Sequence, residues 1–190
     1  MKGLLTLLLL AAPALRAESI AGTIDDPGLR RKTELVYVET VPGKFAPPAA
    51  SARMDQTGNK YAPHLLAIVA GQKVVFESHD PELHNVSARE NKQQLFNQAV
   101  LPHQQFERIF AQVGIAHLSC NVHKEMSADV VVLQNPYFAR PDPKTGAFLL
   151  EGLPAGTYTL RIFGEQLSDE QKARKFQVAT SATPVKLASN

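Results

Sequence analysis

Residues 120–126 read Cys-Asn-Val-His-Lys-Glu-Met and decide the fold of this chain. A thiol, an imidazole and a thioether lie three positions apart at Cys120, His123 and Met126, so one tight loop can turn all three donors toward one point. A trigonal copper site with a weak axial methionine requires one further imidazole. His84, within the upstream segment Asp-Pro-Glu-Leu-His-Asn-Val at 80–86, offers that imidazole.

The loop and the segments before it resemble the cupredoxins, the blue copper electron carriers. The two-residue interval between His123 and Met126 is similar to the short loop of amicyanin, whereas plastocyanin-type loops are longer there. The resemblance extends upstream through residues 62–68, 70–76 and 84–86, and covers roughly residues 54–134. In amicyanin-like loops a proline commonly lies between the two ligands, and here Lys124 and Glu125 take its place.

The resemblance implies an all-β chain with a cupredoxin Greek-key β-sandwich. It further implies one copper ion that cycles between Cu(I) and Cu(II), held by His84, Cys120, His123 and Met126. Asn85 corresponds to the asparagine that ties the two ligand segments together and orients the ligands. Because sulfur suits Cu(I), we retain Met126 rather than Glu125 as the axial ligand.

Composition agrees with an all-β chain. Thirteen prolines and eleven glycines in 190 residues favour many short elements joined by turns. The single cysteine excludes an intramolecular disulfide, and an exported thiol would be exposed to oxidation unless a metal occupied it.

The first 17 residues have the pattern of a signal peptide. Lys2 precedes an apolar run at 4–12 that is too short to span a bilayer, and small residues at 14–17 offer a cleavage site after Ala17. An uncleaved membrane anchor is the alternative. Cleavage would remove Lys2 and Arg16 and bring the formal net charge of +2 to zero, which argues against nucleic acid or acidic membranes as partners. A bacterial periplasm is the predicted location.

A second resemblance covers the C-terminal part of the chain. Residues 144–161 contain turn-Gly-x-Phe followed by Leu-Pro-x-Gly-x-Tyr-x-Leu, and resemble the carboxypeptidase regulatory-like, transthyretin-like β-sandwich. Residues 20–24 and 35–38 look like the first strands of the same module. We therefore predict that residues 18–45 and 136–190 form a split β module around the copper domain at 54–134. The alternative is a cupredoxin with a decorated N-terminus and a C-terminal hairpin.

Local patterns predict several details. Residues 115–120 alternate, which places Ala116, Leu118 and Cys120 on one face. Residues 129–133 are apolar throughout and indicate a central strand. Residues 89–99 are polar and aperiodic, and we expect an irregular segment there. Ser168 begins a capping-box pattern that predicts a short helix.

The leading functional prediction is one-electron transfer with a redox partner protein such as a cytochrome, dehydrogenase or oxidase. The alternatives are a periplasmic copper protein for homeostasis or resistance, and an accessory subunit docked to a redox enzyme. A second copper site at His64 or His79 with Met54 also remains open. No readable arrangement positions a substrate, so an enzymatic activity is not predicted.

Overall fold

The computed structural model describes residues 17–180 and 183–188. The predicted signal peptide therefore lies almost wholly outside the described residues. Within these described residues the chain forms sixteen short strands and two helices of one turn each. Their order is β1 Glu18–Ile24, α1 Pro27–Arg30, β2 Leu35–Val38, β3 Ala52–Gln56, β4 Tyr61–Ala62, β5 Leu65–Val69, β6 Lys73–Ser78, β7 His84–Glu90, β8 Gln93–Val100, β9 Gln105–Ile109, β10 Gly114–Ser119, β11 Ser127–Leu133, β12 Phe138–Ala139, β13 Ala147–Leu153, β14 Thr157–Phe163, α2 Asp169–Lys172, β15 Phe176–Ala179 and β16 Val185–Leu187. The chain is all-β, as the sequence predicts.

Two sheets form the first unit. One has the strand order β5-β11-β10-β7-β8 and the other β4-β3-β6-β9. Their inward side chains meet in one core that includes Met54 and Phe76 from the second sheet and Val86, Ala116 and Val130 from the first. This arrangement is consistent with a cupredoxin-like β-sandwich.

The segments before and after the first unit in the sequence pair with each other. Strand β1 lies between β13, to which it is antiparallel, and β16, to which it is parallel. Strand β2 pairs with β12 and β14 in a second sheet. The two sheets share a core of their own, which contains Ile20, Val36, Leu150 and Leu160. The assignment of this second unit to the regulatory-like module remains a prediction.

Strand β11 connects the two units. It is central in its sheet, between β5 and β10, as its apolar sequence predicts. Val130 and Val132 point into the core of the first unit, whereas Val131 and Leu133 point the other way. There they pack in a third apolar cluster with Phe163 and other residues of both units. The strand that leaves the candidate metal loop is thus buried on both faces.

The prediction of an irregular segment at residues 89–99 is wrong. Strands β7 and β8 form an antiparallel hairpin there, and Asn91 and Lys92 at its turn both have positive φ, of 44° and 71°. Strand β8 is an edge strand with most of its side chains exposed, which explains its polar sequence. The short helix after Ser168 is present as α2, with both hydrogen bonds of the capping box.

None of the helices among residues 17–180 and 183–188 is long and apolar enough to cross a membrane.

Candidate metal site

The candidate ligands come from the ends of neighbouring strands. His84 is the first residue of β7, and Cys120 directly follows β10, which pairs with β7 in the same sheet. The loop that begins at Cys120 is closed by its own backbone. The Cys120 N–H donates to the Met126 carbonyl at 3.3 Å, and the Met126 N–H donates to the His123 carbonyl at 3.1 Å. Three-residue spacing in a closed loop therefore returns His123 toward the strand ends.

Three of the four predicted ligands converge. The Cys120 sulfur and one ring nitrogen each of His84 and His123 all lie within 4.8 Å of one another. The two Nδ1 atoms of His84 and His123 are 3.1 Å apart. His84 is 0% exposed and Cys120 is 3% exposed, so the donors lie at the margin of the core rather than in a loop open to water. A buried thiol with two imidazoles is a donor set suited to a transition-metal ion.

Met126 is buried in the core of the first unit, in the same cluster as Cys120. Its place at the end of the closed loop brings its backbone to that of Cys120. Its role as the fourth, axial ligand remains a prediction.

Asn85 bridges the two ligand segments. Its Oδ1 accepts a hydrogen bond from the Asn121 N–H at 2.5 Å, and its Nδ2 donates to the Asn97 Oδ1 at 2.6 Å. The Asn85 N–H also points to the Cys120 sulfur at 3.5 Å. The residue beside one candidate ligand therefore contacts both the second ligand and the residue after it.

Two carboxylates that the sequence analysis missed face the outer ring nitrogens. His84 Nε2 lies 2.8 Å from Asp80 Oδ2, and His123 Nε2 lies 3.0 Å from Glu82 Oε2. Burial alone would raise the pKa of Asp80, but the N–H groups of the 58–59 turn and the His84 imidazole outweigh it and hold that pKa below its ordinary value. The one signal in the sequence is the acidic residue Asp80, four positions before the candidate ligand His84.

Tyr61 was also missed. Its hydroxyl lies 2.7 Å from the Asn85 carbonyl oxygen and 3.1 Å from that of Ser119, the residues next to two candidate ligands. Burial raises the pKa of Tyr61 well above its usual range, so the hydroxyl keeps its proton. Tyr61 thus joins the backbone segments that carry His84 and Cys120.

The donors considered for a second copper site, His64, His79 and Met54, lie in different surroundings. His79 lies beside Asp55 and Glu77, and Arg53 forms ion pairs with both carboxylates. Met54 is fully buried in the core and, as the neighbour of Asp55 on β3, faces the opposite side of the sheet.

His64 lies elsewhere, between the two units. Its Nε2 is 2.8 Å from a Glu165 carboxylate oxygen, and its Nδ1 is 3.0 Å from the Ser127 carbonyl oxygen. His64 therefore contacts the second unit on one side and the start of β11 on the other.

Comparisons with known proteins give structural neighbours. No protein-family model matches the chain, and no curated protein matches it. Similar solved structures include a purple cupredoxin from Nitrosopumilus maritimus, with 26% identity, a TM-score of 0.40, and 43% of this chain and 99% of that chain covered. A reduced amicyanin variant has 21% identity and a TM-score of 0.41, with 52% and 98% covered. A copper-containing nitrite reductase from Thermus scotoductus has 17% identity and a TM-score of 0.42, with 52% and 25% covered. These similarities each cover about half of this chain.

Proposed function

We propose that this protein is an exported type 1 copper protein that transfers single electrons. It would hold one copper ion with His84, Cys120, His123 and the axial Met126. The observation that supports the proposal is the convergence of one thiol and two imidazole nitrogens within 4.8 Å. The metal would supply the one-electron redox chemistry, because a thiolate and thioether with two imidazoles suits both copper oxidation states.

The chain's own residues would keep the ligand geometry fixed. His84 belongs to strand β7, whereas the other three predicted ligands belong to the closed loop at 120–126. Tyr61 and Asn85 connect the two segments by hydrogen bonds. A site whose ligands are fixed by their surroundings changes little between oxidation states, and rapid electron transfer needs that property.

His123 is the proposed point of electron entry and exit. Its side chain is 17% exposed, whereas His84 is fully buried. Leu83 and Val122, each next to a candidate ligand, are 46% and 53% exposed. Weak redox encounters use small contact areas, so apolar side chains beside a partly exposed imidazole suit a brief contact with a redox partner.

The copper proposal is tested by the spectrum of the loaded protein. We expect an intense visible thiolate-to-copper band and a Cu(II) EPR signal in the parent protein. Cys120→Ser replaces a soft thiolate by a hydroxyl that ionises with difficulty, so the band should disappear. His117→Gln is the matched control, because His117 lies on β10 but its side chain is 62% exposed and it pairs with Asp129. A visible band that persists in Cys120→Ser would refute the proposal.

The electron-transfer proposal needs a separate measurement. We expect Val122→Glu to slow electron self-exchange, measured by NMR line broadening in mixed oxidation states, and to leave the optical spectrum unchanged. Ile109→Glu is the control, because this exposed residue lies at the end of β9 that pairs with Lys73, away from the ligand end of the unit. Slow self-exchange in the parent protein would instead favour copper storage or delivery.

Export to a periplasm rests on the N-terminal segment. Mass spectrometry of the protein from the periplasm of its expression host should find an N-terminus near Glu18. Protein that still carries Met1 would favour the membrane-anchor alternative.

A further inference from the structure

The buried Asp80 carboxylate lies directly behind the His84 imidazole. Its Oδ2 is 2.8 Å from His84 Nε2, the ring nitrogen that faces away from His123. Asp80 is 8% exposed and His84 is 0% exposed, so water has little access to the pair. We propose that Asp80 is a positioning residue that holds His84 in its metal-binding tautomer and lowers the reduction potential of the site. This inference rests on the proposed copper function.

The carboxylate is held by a rigid support of its own. Its Oδ1 accepts from the Gly58 N–H at 2.7 Å, and its Oδ2 accepts from the Asn59 N–H at 3.1 Å. Both residues have left-handed backbones, with φ of 60° and 56°, in the turn between β3 and β4. The carboxylate thus has three hydrogen-bond partners: the N–H groups of Gly58 and Asn59 in the turn, and Nε2 of His84. The two backbone donors orient it toward His84 without the help of a flexible side chain.

This support determines which His84 nitrogen is available. A carboxylate without a proton only accepts hydrogen bonds, so His84 Nε2 carries the proton that it donates. In the neutral imidazole, Nδ1 is then unprotonated and presents its lone pair toward His123. Carboxylate partners of this kind set the tautomer, orient the ring and increase the basicity of a ligand histidine.

The charge of Asp80 favours the more highly charged oxidation state. A fixed anion behind a ligand stabilises Cu(II) more than Cu(I), and burial keeps solvent from screening it. Glu82 stands behind His123 in the same way, at 3.0 Å, but its side chain is 58% exposed. The two carboxylates therefore differ in burial, and Asp80 should have the greater effect on potential.

The test compares three charge-removing variants in the full copper-loaded chain. Asp80→Asn should weaken Cu(II) binding about 10- to 100-fold, the usual cost of losing such a partner. Cu(I) binding should weaken less, and each tenfold difference between the two losses raises the potential by about 59 mV. Glu82→Gln should give a smaller rise. Asp129→Asn is the matched control, because Asp129 is also a mostly buried carboxylate paired with a histidine, His117, outside the site.

Affinities are measured by chelator competition with Cu(II) and Cu(I), and potentials by voltammetry. Asp80→Glu keeps the charge and should restore most of the parent potential. If Asp80→Asn does not fold, Asp80→Ser is used as the charge-removing variant. The serine hydroxyl can still accept a hydrogen bond from the 58–59 turn, and the expected shift in potential is the same. An unchanged ratio of Cu(II) to Cu(I) affinity in the Asp80 variant, or an equal shift in Asp129→Asn, overturns the inference. Absence of a thiolate-to-copper band in the parent protein would instead refute the proposed function.

Discussion

Replacement of Asn85 by alanine tests how firmly the two ligand segments are joined. The change removes the hydrogen bonds to the Asn121 N–H at 2.5 Å and to the Asn97 Oδ1 at 2.6 Å. Asn121 and Asn97 lie at exposed positions and regain water, so each loss costs about 1 kcal/mol rather than the penalty of a buried unpaired group. The expected loss is about 2 kcal/mol, which corresponds to a fall in Tm of roughly 4–8 °C for a chain of this size.

The assay is thermal and urea denaturation of the metal-free protein, followed by the rate of copper removal by a chelator from the loaded protein. Asn97→Ala is the control, because it removes only the hydrogen bond that does not reach the ligand loop. It should cost about 1–3 kcal/mol, because it leaves the Nδ2 group of the buried Asn85 without its partner, and it should leave the rate of copper removal unchanged. If Asn85→Ala releases copper no faster than Asn97→Ala does, the bridge to Asn121 does not hold the ligand segments and the reasoning is refuted.

Three further predictions concern residues outside the ligand set. Tyr61→Phe should destabilise the metal-free protein by about 1–3 kcal/mol, because two buried or partly buried carbonyls lose their hydroxyl partner, and an unchanged urea midpoint would contradict this. Gly22→Ala should cost about 1–3 kcal/mol, since the added Cβ would lie 2.8 Å from the Val185 carbonyl oxygen; the copper spectrum should stay unchanged. The Glu165 carboxylate raises the pKa of His64, so this ion pair stabilises the fold below about pH 6.5 and its contribution is lost as pH rises through the raised pKa. Because both side chains are about half exposed, the effect should be below about 1 kcal/mol, and His64→Gln should remove that part of the pH dependence of the urea midpoint.

The parts of the fold that follow a local rule could be predicted from the sequence. Alternation placed Ala116 and Leu118 of β10, and Cys120 directly after the strand, on the core side, where all three are buried. The three-residue spacing of the loop brought His123 back to Cys120, because a short closed loop has few other conformations. These features depend on neighbours along the chain.

The hairpin of β7 and β8 escaped prediction for a physical reason. Its turn at Asn91 and Lys92 has positive φ without glycine, and its second strand lies at an exposed edge where only Phe96 and a few others turn inward. Because polar side chains are tolerated at most positions of such an edge strand, the alternation of polar and apolar residues that indicates a strand is absent from its sequence.

The support of the carboxylate behind His84 could not be predicted, because it depends on contact between distant segments. Asp80 is held by the turn at Gly58 and Asn59, more than twenty residues earlier in the chain. No local pattern brings that turn to the ligand segment. Side chains that act on the ligands from outside were therefore found only in the structure.

The pairing of β1 with β13 and β16 has a consequence for folding while the chain emerges, N-terminus first, from the ribosome or from an export channel. The first unit contains all of its own strands and can fold as soon as β11 has emerged, because domains generally fold as units from the N-terminal side. β1 and β2, although made first, lack their partners β13, β14 and β16 until the rest of the chain follows. They remain unpaired edges during that interval and are open to association with other chains. The earliest segment to be made is therefore among the last to gain its neighbours, and we expect it to be a main site of aggregation during expression.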